Sequence, residues 1–124
     1  MQEVAVAIGL VRRGECYLVG ERPAGAPLAG CAEFPGGKLR PGETPEACVV
    51  RECLEETGLA VVVAGRRRVV THDYPHARVT LTFFDCEAPG DAEPRPPFRW
   101  VPRRELAALC FPEANREVVA ELAR

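Results

Sequence analysis

The sequence has no apolar run long enough to concern a bilayer. The longest, residues 4–11, contains a glycine at Gly9 and falls well short of the roughly 20 residues a spanning helix needs. The opening Met1-Gln2-Glu3 carries no basic charge and no small-residue cleavage site follows it, so no export signal is expected and a cytoplasmic location is. There is no excess of charge of either sign. Sixteen basic and 18 acidic residues leave a net −2, too little to steer the protein onto a nucleic acid polymer or a membrane. C-x-x-C pairs are absent and there are only two histidines, which excludes a zinc cage of ordinary spacing. Low-complexity segments and internal repeats are also missing. With 47% hydrophobic and 27% charged residues in 124, the composition is that of a globular chain, expected to form one domain over residues 1–124.

Six cysteines stand at positions 16, 31, 48, 53, 86 and 110. An even count invites pairing. Without an export signal, and with enough chain to bury a core, free thiols are the expectation for all six. Cys16, Cys48, Cys53 and Cys86 sit in apolar or amphipathic stretches, where cysteine acts as a small hydrophobe.

The order of elements follows from pattern and punctuation. Residues 3–11 and 15–20 read as strands joined by a turn at Arg12-Arg13-Gly14, and 23–33 as a loop. Residues 44–57 read as a helix, with Thr44 as N-cap, Pro45 at the first helical position and Gly58 as the stop. Strands are expected at 60–65, 67–72 and 78–86, with Arg66-Arg67-Arg68 a solvated turn between the first two. A proline-rich loop follows at 88–97, then a short strand at 98–101, a short helix at 103–109 and a final helix at 113–123. His72 and His76 read as strand-end polar groups, and Trp100 as a core or interface residue. Strands and two main helices in this irregular order imply an α/β sandwich around a mixed sheet.

The helix at 44–57 carries the chemistry. Glu52, Glu55 and Glu56 fall at i, i+3 and i+4, within an arc of about 100° on one face. Ala47, Val50, Cys53 and Leu54 are expected to form the opposite, sheet-packing face. Three like charges this close repel, and only Arg51 adjoins them. A divalent cation relieves them better, and an all-oxygen donor set suits Mg²⁺. By itself an E-x-x-E-E run is as readily a solvated acidic stripe.

The surrounding spacing alters that balance. Residues 37–59, GKLRPGETPEACVVRECLEETGL, fit G-x5-E-x7-R-E-U-x-E-E-x-G-U, where U is a bulky apolar residue. The segment resembles the Nudix hydrolases at every fixed position: Gly37, Glu43, Arg51, Glu52, Glu55, Glu56 and Gly58. Leu59 fills the last apolar slot, and Cys53 stands where an aliphatic residue is usual. The resemblance implies a Nudix-type α/β/α sandwich with two main helices. It implies Glu52, Glu55 and Glu56, with a Gly37 carbonyl, as ligands of Mg²⁺ (Mn²⁺ as substitute). It also implies a catalytic set of Glu52, Glu55, Arg51 and Glu43, in which one of the acids or a nearby group activates water. Glu43 is placed to pair with Arg51 and hold the loop to the helix.

Outside that box the chain resembles the MutT branch, in EVAVAIGLVRR, in GERP at 20–23, in EFPGGK at 33–38 and in FPEAN at 111–115. That resemblance implies a nucleotide substrate: hydrolysis of an oxidised guanine triphosphate to the monophosphate and pyrophosphate. Asn115 matches the asparagine that reads the base, since its amide both donates and accepts; the alternative is a helix N-cap. Arg22 matches a nucleotide contact or is a solvated strand-end residue. Phe34 stacks on a base or packs in the core, and Arg78 contacts phosphate or lies exposed. Two departures stand out. Pro27 occupies a place where some relatives have a polar base-site residue. In the 88–97 loop only Asp91 and Glu93 are available as extra acids. Other readings are a Nudix enzyme for a pyrimidine triphosphate, dinucleotide or nucleotide sugar, and a non-catalytic nucleotide sensor. A monomer or weak homodimer is expected.

Overall fold

Hydrophobic alternation decides the sheet. In the computed structural model, which describes residues 2–124, strand β1 (Gln2–Arg13) sends Leu10 to one face and Val11 to the other. Strand β2 (Cys16–Glu21) does the same with Leu18 and Val19. They pair antiparallel, with Arg12 opposite Tyr17. Two short strands, β3 (Ala32–Glu33) and β4 (Gly36–Lys38), follow the 22–31 loop. Neither is expected from the sequence: β3 ends the segment 23–33, which reads as a loop, and the three residues of β4, two of them glycines, carry no periodicity. Strand β4 pairs with the middle of β1, Ile8 opposite Gly36 and Ala7 opposite Gly37.

Helix α1 (Pro45–Thr57) is bounded as its punctuation dictates. The Thr44 hydroxyl accepts from the Ala47 N–H at 3.1 Å, and Gly58 leaves the helix at φ 79°, a conformation that favours glycine. The rotation of the helix differs from expectation. Cys48, Val49, Cys53 and Thr57 are buried, whereas Val50 and Leu54 are exposed and Ala47 faces outward. The buried face therefore adjoins the acidic one instead of opposing it. Gly9 permits this, since a Cβ there would stand 3.0 Å from Val49 and 3.1 Å from Cys53.

Strand β5 (Val62–Tyr74) runs unbroken where two strands and a turn were expected. Arg66, Arg67 and Arg68 lie inside it at an irregularity in its pairing with β6 (Ala77–Glu87). A β-bulge takes up the extra residue without ending the strand. Arg66 is exposed, but the other two are not simply solvated: Arg67 pairs with Asp85 at 2.7 Å, and Arg68 with Glu117, at 2.9 Å, and Glu121. Strand β6 lies parallel to β1, all other pairings are antiparallel, and β7 (Arg99–Pro102) joins β2. The sheet has seven strands and is mixed. A 3-10 segment (Arg103–Ala108), a second (Glu113–Asn115) and helix α2 (Arg116–Leu122) close the chain.

Two cores result. Cys48, Val49 and Cys53 of α1 pack with Ala7, Val11, Leu18 and Phe84. Val118, Val119 and Leu122 of α2 pack with Leu10, Val19 and Phe83 on the other face. The fold is an α/β sandwich around a mixed sheet, with two main helices. Among the described residues no helix is long and apolar enough to cross a membrane.

The cysteine expectation needs correction at two positions. Cys16, Cys48, Cys53 and Cys86 are free, but Cys31 and Cys110 form a disulfide with Cα atoms 4.9 Å apart. The pair is 79 residues apart in sequence. Its juxtaposition comes from β3, whose Ala32 N–H donates to the Cys110 carbonyl at 2.6 Å. Nothing local to either cysteine signals that tertiary contact.

Candidate active site

Arg51 is the hub of the acidic face. Its Nε donates to Glu43 Oε2 at 2.7 Å and its Nη2 to Glu43 Oε1 at 2.9 Å, a bidentate pair of the kind that fixes geometry. Nη1 reaches Glu52 at 2.5 Å and Glu55 at 3.2 Å, and Nη2 reaches the Lys38 carbonyl at 3.3 Å. The loop from β4 to α1 is thus tied back to the helix it introduces. Glu43 also accepts from the Arg40 N–H at 2.9 Å. The Arg51 guanidinium first, and then that amide, hold the Glu43 pKa down at about 2, from 4.5.

The depressed value has a consequence for acid stability. A folded-state pKa below the unfolded one means the contribution is complete above about pH 4.5 and fades as pH falls towards 2. Glu43→Gln is therefore expected to flatten the acid limb of the stability profile. Thermal melts between about pH 5 and about pH 2 should show a smaller loss of Tm for the variant than for the wild type. Parallel limbs would remove Glu43 from the account.

Glu52 and Glu56 lie at the seam between α1 and β4. A Cβ on Gly37 would meet the Glu52 carboxyl group, 2.6 Å from its Cδ. Glu56 accepts from the Gly36 N–H at 3.2 Å. Burial, with the Glu52 carboxylate beside it, raises the Glu56 pKa to about 7 despite that amide. Glu55 is turned away, half exposed, towards Arg51 and towards Arg40 at 3.6 Å. Among the described residues no three acidic, histidine or cysteine side chains converge on one point. Arg51 competes for the acids and draws Glu55 off.

The donor set still fits a hard divalent cation. Two carboxylates crowd each other beside glycine backbone and offer oxygen donors, while the Cys48 thiol sits behind that backbone, 3.5 Å from the Gly37 carbonyl.

A cleft of about 230 Å³ opens beside these acids, and Gly36 and Gly37 form part of its wall. Arg22, Glu33 and Phe34 line it, as do Pro112, Ala114 and Asn115. Arg22 is held by Glu33 at 3.5 Å and by the Pro27 carbonyl at 2.6 Å. Burial raises the Glu33 pKa, with Arg22 opposing. The Phe34 ring stacks on Phe111 at 4.8 Å and belongs to the core while lining the cleft. Asn115 is buried at the N-terminus of α2, yet its side chain makes no capping hydrogen bond.

Other residues lie elsewhere. Arg78 does not line this cleft; it is exposed and pairs with Asp73 at 2.7 Å. Asp91 and Glu93 are exposed, in a loop docked by Arg13 on the Ala92 carbonyl and by Arg95 on the Glu55 carbonyl. His72 rests against Tyr74 with ring centroids 4.7 Å apart, and Arg13 lies over Trp100 at 4.6 Å. Sequence reasoning missed Glu33 and Tyr74 as lining residues. Glu33 stood within the EFPGGK motif and was open to notice; Tyr74 carried no signal until β5 was known to run through to it.

A family profile described as NUDIX domain matches residues 6–121. The chain belongs to the Nudix family. This Nudix hydrolase is 35% identical over 130 residues to the 8-oxo-dGTP diphosphatase of Escherichia coli K12, covering 100% of this chain and 99% of that one. It is 36% identical over 63 residues to a CTP pyrophosphohydrolase of the same organism, covering 51% of this chain and 47% of that one. Its fold matches a MutT NUDIX hydrolase from Burkholderia pseudomallei with a TM-score of 0.78 at 24% identity, over 100% of both chains. Nudix hydrolases generally use a divalent metal, in keeping with the donors found here.

Proposed function

We propose that this Nudix hydrolase is a Mg²⁺-dependent pyrophosphohydrolase of oxidised purine nucleoside triphosphates, 8-oxo-dGTP foremost, yielding the monophosphate and pyrophosphate in the cytoplasm. The observation that carries the reading is Asn115. It is a buried amide in the cleft wall, at a helix N-terminus it does not cap. A largely buried amide in a cleft wall that makes no capping hydrogen bond is suited to a ligand's donor–acceptor edge. The full-length relative named for 8-oxo-dGTP supports the same substrate.

Glu52 and Glu56, with backbone at Gly37, would hold the cation, and Glu55 joins them once freed from Arg51. The cation supplies neutralisation of phosphate charge and acidification of water. Arg51 and Glu43 keep the helix and its leading loop in register. Phe34 offers a ring to the base and Arg22 a guanidinium to the nucleotide. A monomer or weak homodimer suffices, since one chain supplies every residue named.

The test is a panel of 8-oxo-dGTP, dGTP and pyrimidine triphosphates, assayed for pyrophosphate with Mg²⁺ or Mn²⁺ and after chelation. The expected result is metal-dependent release with the highest kcat/KM for 8-oxo-dGTP. No release from any triphosphate overturns the reading. The similarity to a CTP pyrophosphohydrolase over 63 residues favours a pyrimidine triphosphate as the second reading. A kcat/KM maximum on that arm would select it.

Asn115→Ala separates base recognition from helix capping. Discrimination between 8-oxo-dGTP and dGTP should fall by about 5- to 100-fold, as for a lost bidentate base contact, while turnover of dGTP changes less than about threefold. An equal loss on both nucleotides would assign Asn115 to the helix end instead.

A further inference from the structure

The Cys31–Cys110 bond plays no part in the chemistry described so far, yet it joins two segments that line the nucleotide cleft. Cys31 lies two and three residues before the lining residues Glu33 and Phe34. Cys110 lies two and five residues before the lining residues Pro112 and Asn115. Cys31 is also the far anchor of the loop that begins at Arg22. Its carbonyl accepts from the Arg22 N–H at 2.8 Å, and the Gly30 N–H donates to the Arg22 carbonyl at 3.0 Å. Between these points the loop is mostly exposed and buries no large side chain, and Leu28 holds φ at 58°. Its further hydrogen bonds are internal, from the Ala26 N–H to the Pro23 carbonyl, the Cys31 N–H to the Leu28 carbonyl and Arg22 Nε to the Pro27 carbonyl, so a covalent tie at its far anchor bears on where the loop, and Arg22 with it, sits.

The two cysteines also differ in access. Cys110 is exposed, while Cys31 is buried. In thiol–disulfide exchange the reachable sulfur reacts first and its partner resolves the mixed disulfide. In cytosolic proteins such bonds are usually transient and redox-sensing.

We propose that Cys31 and Cys110 are a reversible redox site that takes small-molecule disulfides and thiols and thereby sets the geometry of the nucleotide cleft. The Cys110 thiolate attacks a small disulfide RS–SR, forming Cys110–S–S–R and expelling RS⁻. The Cys31 thiolate then attacks Cys110 Sγ, forming the Cys31–Cys110 bond and expelling a second RS⁻. Two electrons pass from the protein to the small disulfide, and the two thiol protons end on two RSH. Excess thiol reverses both steps. The bonded state is the preorganised one, with the Arg22 loop and the Asn115 segment fixed. The substrate assigned above is itself a product of oxidation, so conditions that generate it also tighten the cleft. That last link rests on the proposed function; the thiol chemistry does not.

The experiment equilibrates the purified full chain in glutathione buffers of defined reduced-to-oxidised ratio. Each sample is alkylated and weighed intact, and peptide mapping seeks the 31–110 linkage. Oxidising buffer should give a single linked pair with four alkylated cysteines, and reducing buffer six. Hydrogen exchange over residues 22–31 should rise on reduction, a readout that needs no substrate. With whichever triphosphate of the panel turns over, KM should rise about fivefold or more on reduction, with kcat within about twofold. Cys31→Ser/Cys110→Ser should fix the reduced-state KM at every ratio, whereas Cys16→Ser should leave the response intact. The proposal fails if no 31–110 link forms at any ratio. It also fails if the link forms and neither exchange nor KM follows it, or if the double variant still responds. The wild-type arms decide even if the double variant does not fold. A panel without turnover sinks the proposed function and leaves the linkage and exchange arms to judge the redox site.

Discussion

Glu52→Gln is expected to lower kcat by about 10³-fold or more while leaving Tm nearly unchanged. The side chain lies between Arg51, at 2.5 Å, and the Gly37 backbone, with the Glu56 carboxylate beside it. Glutamine keeps the shape and leaves an amide oxygen to accept from Arg51, so the hub survives through the bidentate Glu43 pair. What is lost is one unit of negative charge at the seam proposed to hold the cation. A catalytic cation stabilises the transition state by several kcal/mol, and each ~1.4 kcal/mol is tenfold in rate. The fold gains slightly, because a repulsion against Glu56 disappears. Turnover under saturating nucleotide, with a Mg²⁺ titration and a melting curve on the same preparation, checks all three statements. Near-normal kcat would strip Glu52 of its role; a large loss of Tm would make it a structural residue.

The clarity of the sequence varied with the range of the interaction. Thr44, Pro45 and Gly58 bound α1 where local capping chemistry places the limits, and the Glu43–Arg51 pair spans only eight positions along the chain. Both were readable because the partners lie on one helix and its leading loop. The rotation of α1 was not readable. An amphipathic pattern gives an apolar stripe, but Cys48 and Val49 outcompeted Val50 and Leu54 because Gly9 opened the sheet on that side. That choice moved the acids from a solvent face to the seam with β4. By pattern alone β5 reads as two strands, because three consecutive arginines resemble a turn. Their partners, Asp85, Glu117 and Glu121, belong to β6 and α2 and were out of local view. The disulfide was missed for the same reason. Compartment arguments weigh whether thiols pair, and only β3 brings these two together. For the site, the motif named the acids and the FPEAN ending named Asn115, while Glu33 and Tyr74 emerged only with the cleft.

Adjacent glycines separate position from packing, and Gly37→Ala is expected to cost catalysis where Gly36→Ala costs the fold. Neither residue holds a positive φ, so alanine meets no backbone objection at either. The difference lies in what the new methyl group meets. At Gly36 it meets the Ala7 carbonyl oxygen and stands 2.8 Å from Ile8 Cα. Those are backbone atoms of β1 and cannot step aside without breaking the pairing that holds β4. A loss of about 1–3 kcal/mol, typical of overpacking, should appear as a lowered Tm. At Gly37 the atoms nearest to the methyl all belong to Glu52, its carboxyl group first, the far end of a flexible side chain. That group swings away at little cost in stability. Its displacement removes a carboxylate from the seam without changing the charge of the protein, and a misplacement of about 1 Å costs on the order of 10²-fold in rate. Gly37→Ala should thus keep its Tm and lose about 10²-fold in kcat, with a weaker response to added Mg²⁺. Full activity in Gly37→Ala would mean that the seam position of Glu52 is irrelevant to turnover. A Tm loss matching that of Gly36→Ala would mean that Gly37 serves packing alone. The two variants side by side test the geometric claim that the Glu52 and Glu43 substitutions, which change charge, cannot isolate.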